Sequence, residues 1–374
     1  MKTDHYSDVP VHQAIIKNVT ILQDTFHIGT EEKVKDYFFH NGIYLEQNCK
    51  LFGSLEFGGL SNYWGLQIDK NIIGDINHLS KNTQKKISKS FFELIDKFRL
   101  LGNFTHNKIT INNAYFRDKF LEKNFIFENK KLAFGDPIIA FTKIKKKKIK
   151  IDEVNEETDK FIPKNFFKKY LRNKKIIFHN FAVKKILNHK KGVSILCENG
   201  SEKKIFIAKK LVLGCGTIAT TKLVLDYLNI YKEVKLNHHP RLFSLYISKS
   251  RWKNKMKFQP SHFHLKEKSN PSFFTADFRP GNEIIINSLL KFKKILLPLK
   301  FLLNFLRQNM IFSNIFLHPK YGNLFLKLKK NNSLSIYSKD KNIKYTLSKV
   351  SKIIYNFLKK TKKIFPFHQI FFPG

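Results

Sequence analysis

The pattern between Lys174 and Leu228 constrains the fold more than any other part of the chain. Lys175-Ile-Ile-Phe-His-Asn180 reads as one strand, Ala182-Val-Lys-Lys-Ile-Leu187 as a second and Gly192-Val-Ser-Ile-Leu-Cys197 as a third. Glu198-Asn199-Gly200 follows. Asn-Gly between apolar runs is a strong hairpin signal, because both residues tolerate the positive φ that a tight turn requires. Lys204-Ile-Phe-Ile-Ala208 is the return strand. Lys210-Leu-Val-Leu213 then reads as a short apolar strand ending at Gly214-Cys-Gly216, and Thr217 or Thr220 can cap a helix that runs through Asp226 to Leu228. Strands that feed a strand–turn–helix corner make an α/β arrangement. That corner offers a helix N-terminus with free backbone N–H groups, the geometry that receives phosphates. Gly-x-Gly without a third Gly at dinucleotide spacing is weak by itself, and an ordinary corner carries the same pattern.

The 374 residues suffice for two domains with their own cores or for one large α/β unit. Hydrophobic residues make up 42% and aromatic residues 14%. That excludes a disordered chain, whose apolar content cannot offset the entropy of ordering. The formal net charge is +40. One reading is a phosphate-bearing partner such as nucleic acid or an anionic membrane. The other is composition, since the excess is mostly Lys and comes with abundant Phe, Ile and Asn, as in proteins of low-GC genomes. A nucleic-acid reader would use more Arg, whose planar fork matches phosphates and guanine edges, so nucleic acid is not the partner expected. Cys49, Cys197 and Cys215 are scattered, form no CxxC and pair with no His at zinc-like spacing. No metal site is expected, and a reduced, cytoplasmic protein is.

Met1 to Gln23 has no apolar run behind a basic start, so no secretory signal is expected. The most hydrophobic stretch, Ile284 to Leu317, is interrupted by Lys291, Lys293, Lys294, Pro298, Lys300 and Arg307. It therefore lacks the run of about 20 apolar residues that spans a bilayer. It reads as a pair of amphipathic helices packed on the protein's own core, with a basic helix lying on a membrane surface as the alternative. Ile87, Phe91, Leu94, Ile95, Phe98 and Leu101 share one face of a helix over 85–101, stopped by Gly102. Gly135-Asp136-Pro137 is a turn signal, and residues 133–160 read as a solvated loop or an exposed edge strand. Phe273–Arg279, Leu324–Lys329 and Leu334–Tyr337 read as strands, and Tyr345–Lys359 as an amphipathic helix.

Gly58-Gly-Leu-Ser-Asn-Tyr-Trp-Gly65 collects the parts needed to hold the edge of a flat ring. Gly58 and Gly59 let the backbone turn and approach a ligand without a Cβ in the way. Ser61 and Asn62 supply donors and acceptors, and Trp64 a flat wall. A Gly-rich turn with a core Trp contains the same residues. Taken in order, Gly-Gly-x-Ser-x-x-Trp and, about 150 residues later, Gly-x-Gly-x-Ile-x-Thr-x-x-Leu after an apolar strand resemble the glucose-methanol-choline (GMC) oxidoreductases. The likeness is to the bacterial branch found in surface-polysaccharide gene clusters and to pyranose oxidases.

The resemblance implies an α/β fold: a partial FAD-binding domain and a substrate domain of antiparallel sheet plus helices. Residues 1–50 would be a polar lead-in, 51–234 the FAD-binding domain with an inserted helical or loop region, and 235–374 the substrate domain. It implies FAD held by Gly58, Gly59, Ser61, Asn62 and Trp64 at the isoalloxazine ring and pyrophosphate. Ala182 and Val183 would meet the adenine through backbone groups, and Gly214, Gly216 and Thr217 would close the site. Tyr63 stands where pyranose oxidases carry a His bonded to the flavin, so the FAD would be noncovalent. The implied activity is oxidation of a CH–OH group in an alcohol, sugar or polysaccharide precursor. Hydride would pass to FAD while a His takes the hydroxyl proton, a role suited to a near-neutral pKa. His238, His239, His262, His264, His318 and His368 are candidates, and His368 is nearest the expected place by order.

Two departures bear on the implied activity. The family opens with Gly-x-Gly-x-x-Gly and an acidic ribose-binding residue, whereas the first 50 residues here hold only Gly29 and Gly42. The family also ends with a catalytic His segment and a final FAD-contacting strand and helix, whereas Phe365–Gly374 resembles the approach to that segment. The likeness covers roughly residues 50–374. It leaves open a truncated product, a split enzyme whose second chain supplies the missing segments, and a degenerate homologue. The rival from another class is a basic protein that binds nucleic acid or anionic membrane without catalysis, which predicts Lys clustered on one face.

Overall fold

Strands buried on both faces read as near-continuous apolar runs, and such runs build the centre of this protein. The computed structural model describes residues 31–46, 67–68, 76, 79–97, 108–110, 124–127, 130–135, 138–139, 148–150, 161, 163–173, 175–249, 263–267, 273–281, 286, 290, 294–339, 342–360 and 364–371. In chain order the first elements are α1 (Glu31–His40), β1 (Ile43–Leu45), β2 (Gln67–Ile68), α2 (Lys81–Lys97), β3 (Lys108–Thr110), β4 (Asn124–Phe127), β5 (Lys130–Gly135), β6 (Ile138–Ile139), β7 (Lys148–Lys150) and α3 (Pro163–Arg172). Then come β8 (Ala182–His189), β9 (Gly192–Asn199), β10 (Glu202–Ala208), α4 (Thr217–Tyr227), β11 (Val234–Lys235), β12 (Arg241–Ser248), β13 (Phe263–Glu267) and β14 (Phe274–Pro280). A 3-10 turn (Lys294–Leu299) leads into α5 (Lys300–Leu306), followed by β15 (Met310–Leu317), β16 (Leu324–Leu328), β17 (Leu334–Ser338), α6 (Ile343–Lys360) and β18 (Ile364–Phe371).

The largest sheet has the order β18-β12-β15-β14-β13-β5-β4 and is antiparallel throughout. On one face Leu242, Tyr246, Phe274, Ala276, Phe278, Ile311, Ile315 and Leu317 meet Leu347, Val350, Ile354, Phe357 and Leu358 of α6. Each large side chain buried there stabilises by about 1.5–3 kcal/mol relative to exposure. Two hydroxyls in this core satisfy each other: Ser244 Oγ and Ser351 Oγ lie 2.5 Å apart across the helix–sheet contact. Ser313 Oγ donates to Tyr246 Oη at 3.3 Å, and burial pushes the Tyr246 hydroxyl pKa up. At one end of the opposite face, Leu245, Met310 and Phe312 pack with Ile286, Leu290 and, from α5, Leu303 and Leu306.

A second sheet, β1-β17-β16-β11, pairs β1 parallel to β17 and closes with the β16–β17 hairpin. Leu225 and Ile218 of α4 and Phe38 of α1 pack against it. The third is the meander β10-β9-β8. Its second turn places Gly200 at φ 60, as the Asn-Gly signal predicts. Gly192 opens β9 at φ +152, where an added Cβ would lie 2.3 Å from the carbonyl oxygen of Ala208; only Gly fits that approach.

Helices with mainly antiparallel sheets make this a mixed α/β protein. Several local expectations change. Residues 175–181 and 209–213 form no strand; no neighbouring strand flanks them among the described residues, and Ile177 and Val212 are 77% and 91% exposed. Within the 284–317 stretch Lys300–Leu306 is the helix α5, but the last eight residues, Met310–Leu317, are β15 inside the sheet rather than a helix, because their apolar side chains feed both faces. Residues 133–135 belong to β5, between β13 and β4, rather than to a loop or an edge. The helix expected over 85–101 is α2, and residues 98–102 lie outside the described residues. Cys197 is buried and Cys215 exposed, both as free thiols; Cys49 lies outside the described residues. Among the described residues no helix is long and apolar enough to cross a membrane.

Candidate active site

Of the residues expected to hold a cofactor, Gly58, Gly59, Ser61, Asn62 and Trp64 lie outside the described residues. The others stand at the starts of β8 and α4, two elements that pack against each other. Lys184 of β8 and Lys222 of α4 both donate to Asn41, at its Oδ1 (2.7 Å) and its carbonyl oxygen (2.6 Å). Further along the same two elements, Tyr227 Oη donates to Asn188 Oδ1 at 2.6 Å. β8 and α4 therefore run side by side in the same direction, and their N-terminal ends, with Ala182 and Val183 on one and Gly214 to Thr217 on the other, lie at the same end of the layer. The β8–β9 register shifts between Val183 and Lys185; such a bulge re-aims a side chain, here Lys184, which also lies 4.0 Å from Glu198. Burial pulls the Lys222 ammonium pKa down, Asp226 opposes that, and Lys184 adds to it.

Gly216, not Thr217 or Thr220, is the N-cap of α4, with φ 79, and no side chain caps the helix. The N-cap residue adopts a non-helical conformation, and here only a Gly takes the required positive φ without strain. A Cβ at Gly214 or Gly216 would meet nothing within 4 Å among the described residues, and residues 214–217 are exposed. The first-turn N–H groups thus open onto free space at the positive end of the helix dipole.

A second constellation lies on the seven-stranded sheet. Phe274, Ala276 and Phe278 face α6, so strand alternation turns Thr275, Asp277 and Arg279 to the other face. The register sets Asp277 beside Asn314 and Asn314 beside Phe243; Arg279 beside Phe312; and Thr275 beside Phe316, which pairs with Arg241. Directly opposed Cβ atoms lie about 4.5–5.5 Å apart and diagonal neighbours about 7–8 Å apart, so Arg279, Asp277, Asn314 and Arg241 form one polar band edged by Phe rings. Arg279 Nε and Asn314 Oδ1 are buried and make no hydrogen bond among the described residues. Burial lowers the pKa of both guanidinium groups, and Asp277 opposes this at Arg279. The Arg241 guanidinium carbon is 5.7 Å from the Phe243 ring centre. Forked donors, a carboxylate and an amide next to aromatic faces can pair with the hydroxyls of a polyol and pack on its C–H surface.

The histidines separate by their hydrogen bonds. His239 Nδ1 is 2.9 Å from the carbonyl oxygen of Leu317, and its ring lies 6.4 Å from Phe316 at the edge of the polar band. A carbonyl can only accept, so Nδ1 carries the proton and Nε2 is the basic nitrogen. His238 Nδ1 donates in the same way to Leu236 (3.2 Å), and burial lowers its pKa. His318 Nδ1 accepts from the N–H of Lys320 and caps the turn at Pro319–Tyr321, a structural role. His368 sits in β18 opposite Tyr246, and His264 in β13 opposite Asp277; His262 lies outside the described residues.

Arg241, Asp277, Arg279 and Asn314 were not among the candidates the sequence supplied. The available signal was polar residues at every second position of a strand otherwise apolar, as in Phe273–Arg279. Comparison with protein-family models gave no match, and comparison with curated proteins gave none either.

Proposed function

We propose that this chain is the core of a cytoplasmic FAD-dependent oxidoreductase of GMC type that acts on CH–OH groups of a sugar or polysaccharide precursor. The observation that carries the reading is the common end of β8 and α4. Two segments chosen only by resemblance, Ala182-Val183 and Gly214–Thr217, stand at the starts of two elements that pack together, and the first turn of α4 carries no side-chain cap. Those residues fit a dinucleotide. Gly214 and Gly216 put no Cβ in the way of a diphosphate, the N–H groups of the first turn would hold its charge, and the main chain at Ala182 and Val183 would hold the adenine.

FAD, when bound, supplies the acceptor for the hydride of the carbinol carbon. The protein's own part is to bind the substrate and remove a proton. The band of Arg241, Asn314, Asp277 and Arg279, with Phe243 and Phe316, suits a hydroxylated substrate. A His would accept the hydroxyl proton on its unprotonated ring nitrogen; chain order points to His368, but its register opposite Tyr246 sets that position on the α6 face of the sheet, so the role falls to His239 at the edge of the band. The exposed apolar side chains of Ile177 and Val212 suit a second chain that adds strands beside them.

The test is titration of the purified protein with FAD, followed by quenching of flavin fluorescence. Saturable binding is expected. Gly216→Val should weaken it about tenfold, the equivalent of one lost hydrogen bond to a charged oxygen. Absence of saturable binding overturns the reading.

A further inference from the structure

The segment Lys294–Leu306 has two unlike sides. Leu303 and Leu306 pack inward on the cluster of Leu245, Ile286, Leu290, Met310 and Phe312. Leu297, Leu299, Phe301, Leu302 and Phe305 point to solvent, and Phe301 is 86% exposed. Helical geometry fits the division, since residues 301 and 305 stack on the outer side and 303 and 306 on the inner, with 302 between them. A contiguous apolar strip of this kind on a protein surface marks a contact.

Its charge identifies the contact. From Ile284 to Lys339 the chain has no acidic residue, while Lys300 and Arg307 belong to the strip's own stretch of chain and Lys291, Lys293 and Lys294 precede it in sequence. The whole chain carries +40. Large apolar side chains on one side of a short helix, with basic residues flanking them, match a surface that is anionic outside and apolar just beneath. A nucleic acid would satisfy the charge and leave Phe301 and Phe305 in water.

We propose that Leu297–Arg307 is a membrane-docking element that lies in the headgroup–acyl boundary of an anionic bilayer. Phe301 and Phe305 insert, Lys300 and Arg307 meet lipid phosphates, and Leu303 and Leu306 fix the strip to the protein. This inference stands apart from the flavin reading.

The test is flotation of the full chain with vesicles of phosphatidylcholine alone and of phosphatidylcholine mixed with phosphatidylglycerol. The protein should float with the mixed vesicles, less so as salt rises, because the charge attraction is screened. The double variant Phe301→Ser/Phe305→Ser should lose about tenfold or more in partitioning, since binding scales with the apolar area inserted. Both residues are exposed, so its melting temperature should match that of the parent. Failure to bind mixed vesicles overturns the proposal. Unchanged binding by the double variant also overturns it, by assigning binding to net charge. Lipid-free self-association abolished by the same variant overturns it too, by assigning the strip to a second copy.

Discussion

In the seven-stranded sheet each strand from β12 through β5 has neighbours on both edges, and Phe274, Ala276 and Phe278 are shut between the sheet and α6. In the meander, β10 has one neighbour among the described residues, and Ile205 and Ile207 on it are exposed. The extended segments before and after the meander expose Ile177, Phe178 and Val212. The same residue types thus end in opposite environments. An apolar run becomes a buried strand only where other strands and a helix are present to cover it, and burial is then worth about 25 cal/mol per Å² of apolar surface.

Truncation of an apolar side chain in each region measures the difference. Phe278→Ala should destabilise by about 3–5 kcal/mol, through lost burial and a cavity that α6 cannot collapse into. Val212→Ala should stay within about 0.5 kcal/mol. Urea denaturation at constant slope reads both. An equally large loss for Val212→Ala would break the comparison, and its dependence on protein concentration would then show that another chain covers the segment.

Gly192→Ala probes the meander where it is most constrained. The new Cβ would lie 2.3 Å from the Ala208 carbonyl at φ +152, and forced backbone conformations cost about 1–3 kcal/mol. Amide exchange should quicken in β8–β10 and stay unchanged in β12–β15. Spread of the effect into the large sheet would mean that the two regions unfold as one unit. On the other side of the comparison, Ser351→Ala leaves the Ser244 hydroxyl without its α6 partner and should cost about 1–2 kcal/mol. Adding Ser244→Ala should cost less than the sum of the single changes, because the pair acts together.

What the sequence made legible divides along the same line. β8, β9 and β10 follow the Asn-Gly hairpin, β16 and β17 follow a local turn, and α6 follows its apolar period; each signal is contained within a few residues. β15 was misread because Met310-Ile-Phe-Ser-Asn-Ile-Phe-Leu317 feeds two cores and so lacks alternation. The 175–180 and 210–213 runs have strand chemistry and no flanking strand, and sequence pattern does not report on neighbours. For the candidate site, Gly216 was legible as a turn Gly, whereas the cap it provides depends on its φ. The band of Arg241, Asp277, Arg279 and Asn314 was illegible because three separate strands supply it, and only the register of β12, β14 and β15 aligns them.

The smallest effect expected is a pH dependence at the join of the sheets. His238 lies between β11 and β12, held by the Leu236 carbonyl and Asn323, with His239 and Lys235 nearby. Burial is the main cause that lowers its pKa from the usual 6.5; the bonds to Leu236 and Asn323 oppose it, and repulsion from His239 and Lys235 adds to it. The unfolded chain therefore binds a proton more readily than the folded one. Stability should be insensitive to this group above about pH 6.5 and fall as pH drops below it, because protons then favour the unfolded state. His238→Gln should remove that part of the acid slope in urea midpoints measured from pH 7.5 to 5.5. Amide exchange at the lower pH should rise first in β11 and β12 and not in the meander, because the buried imidazole couples only to the sheets it joins. An identical acid slope in the parent and the variant would instead place the acid sensitivity in the general repulsion of a +40 chain.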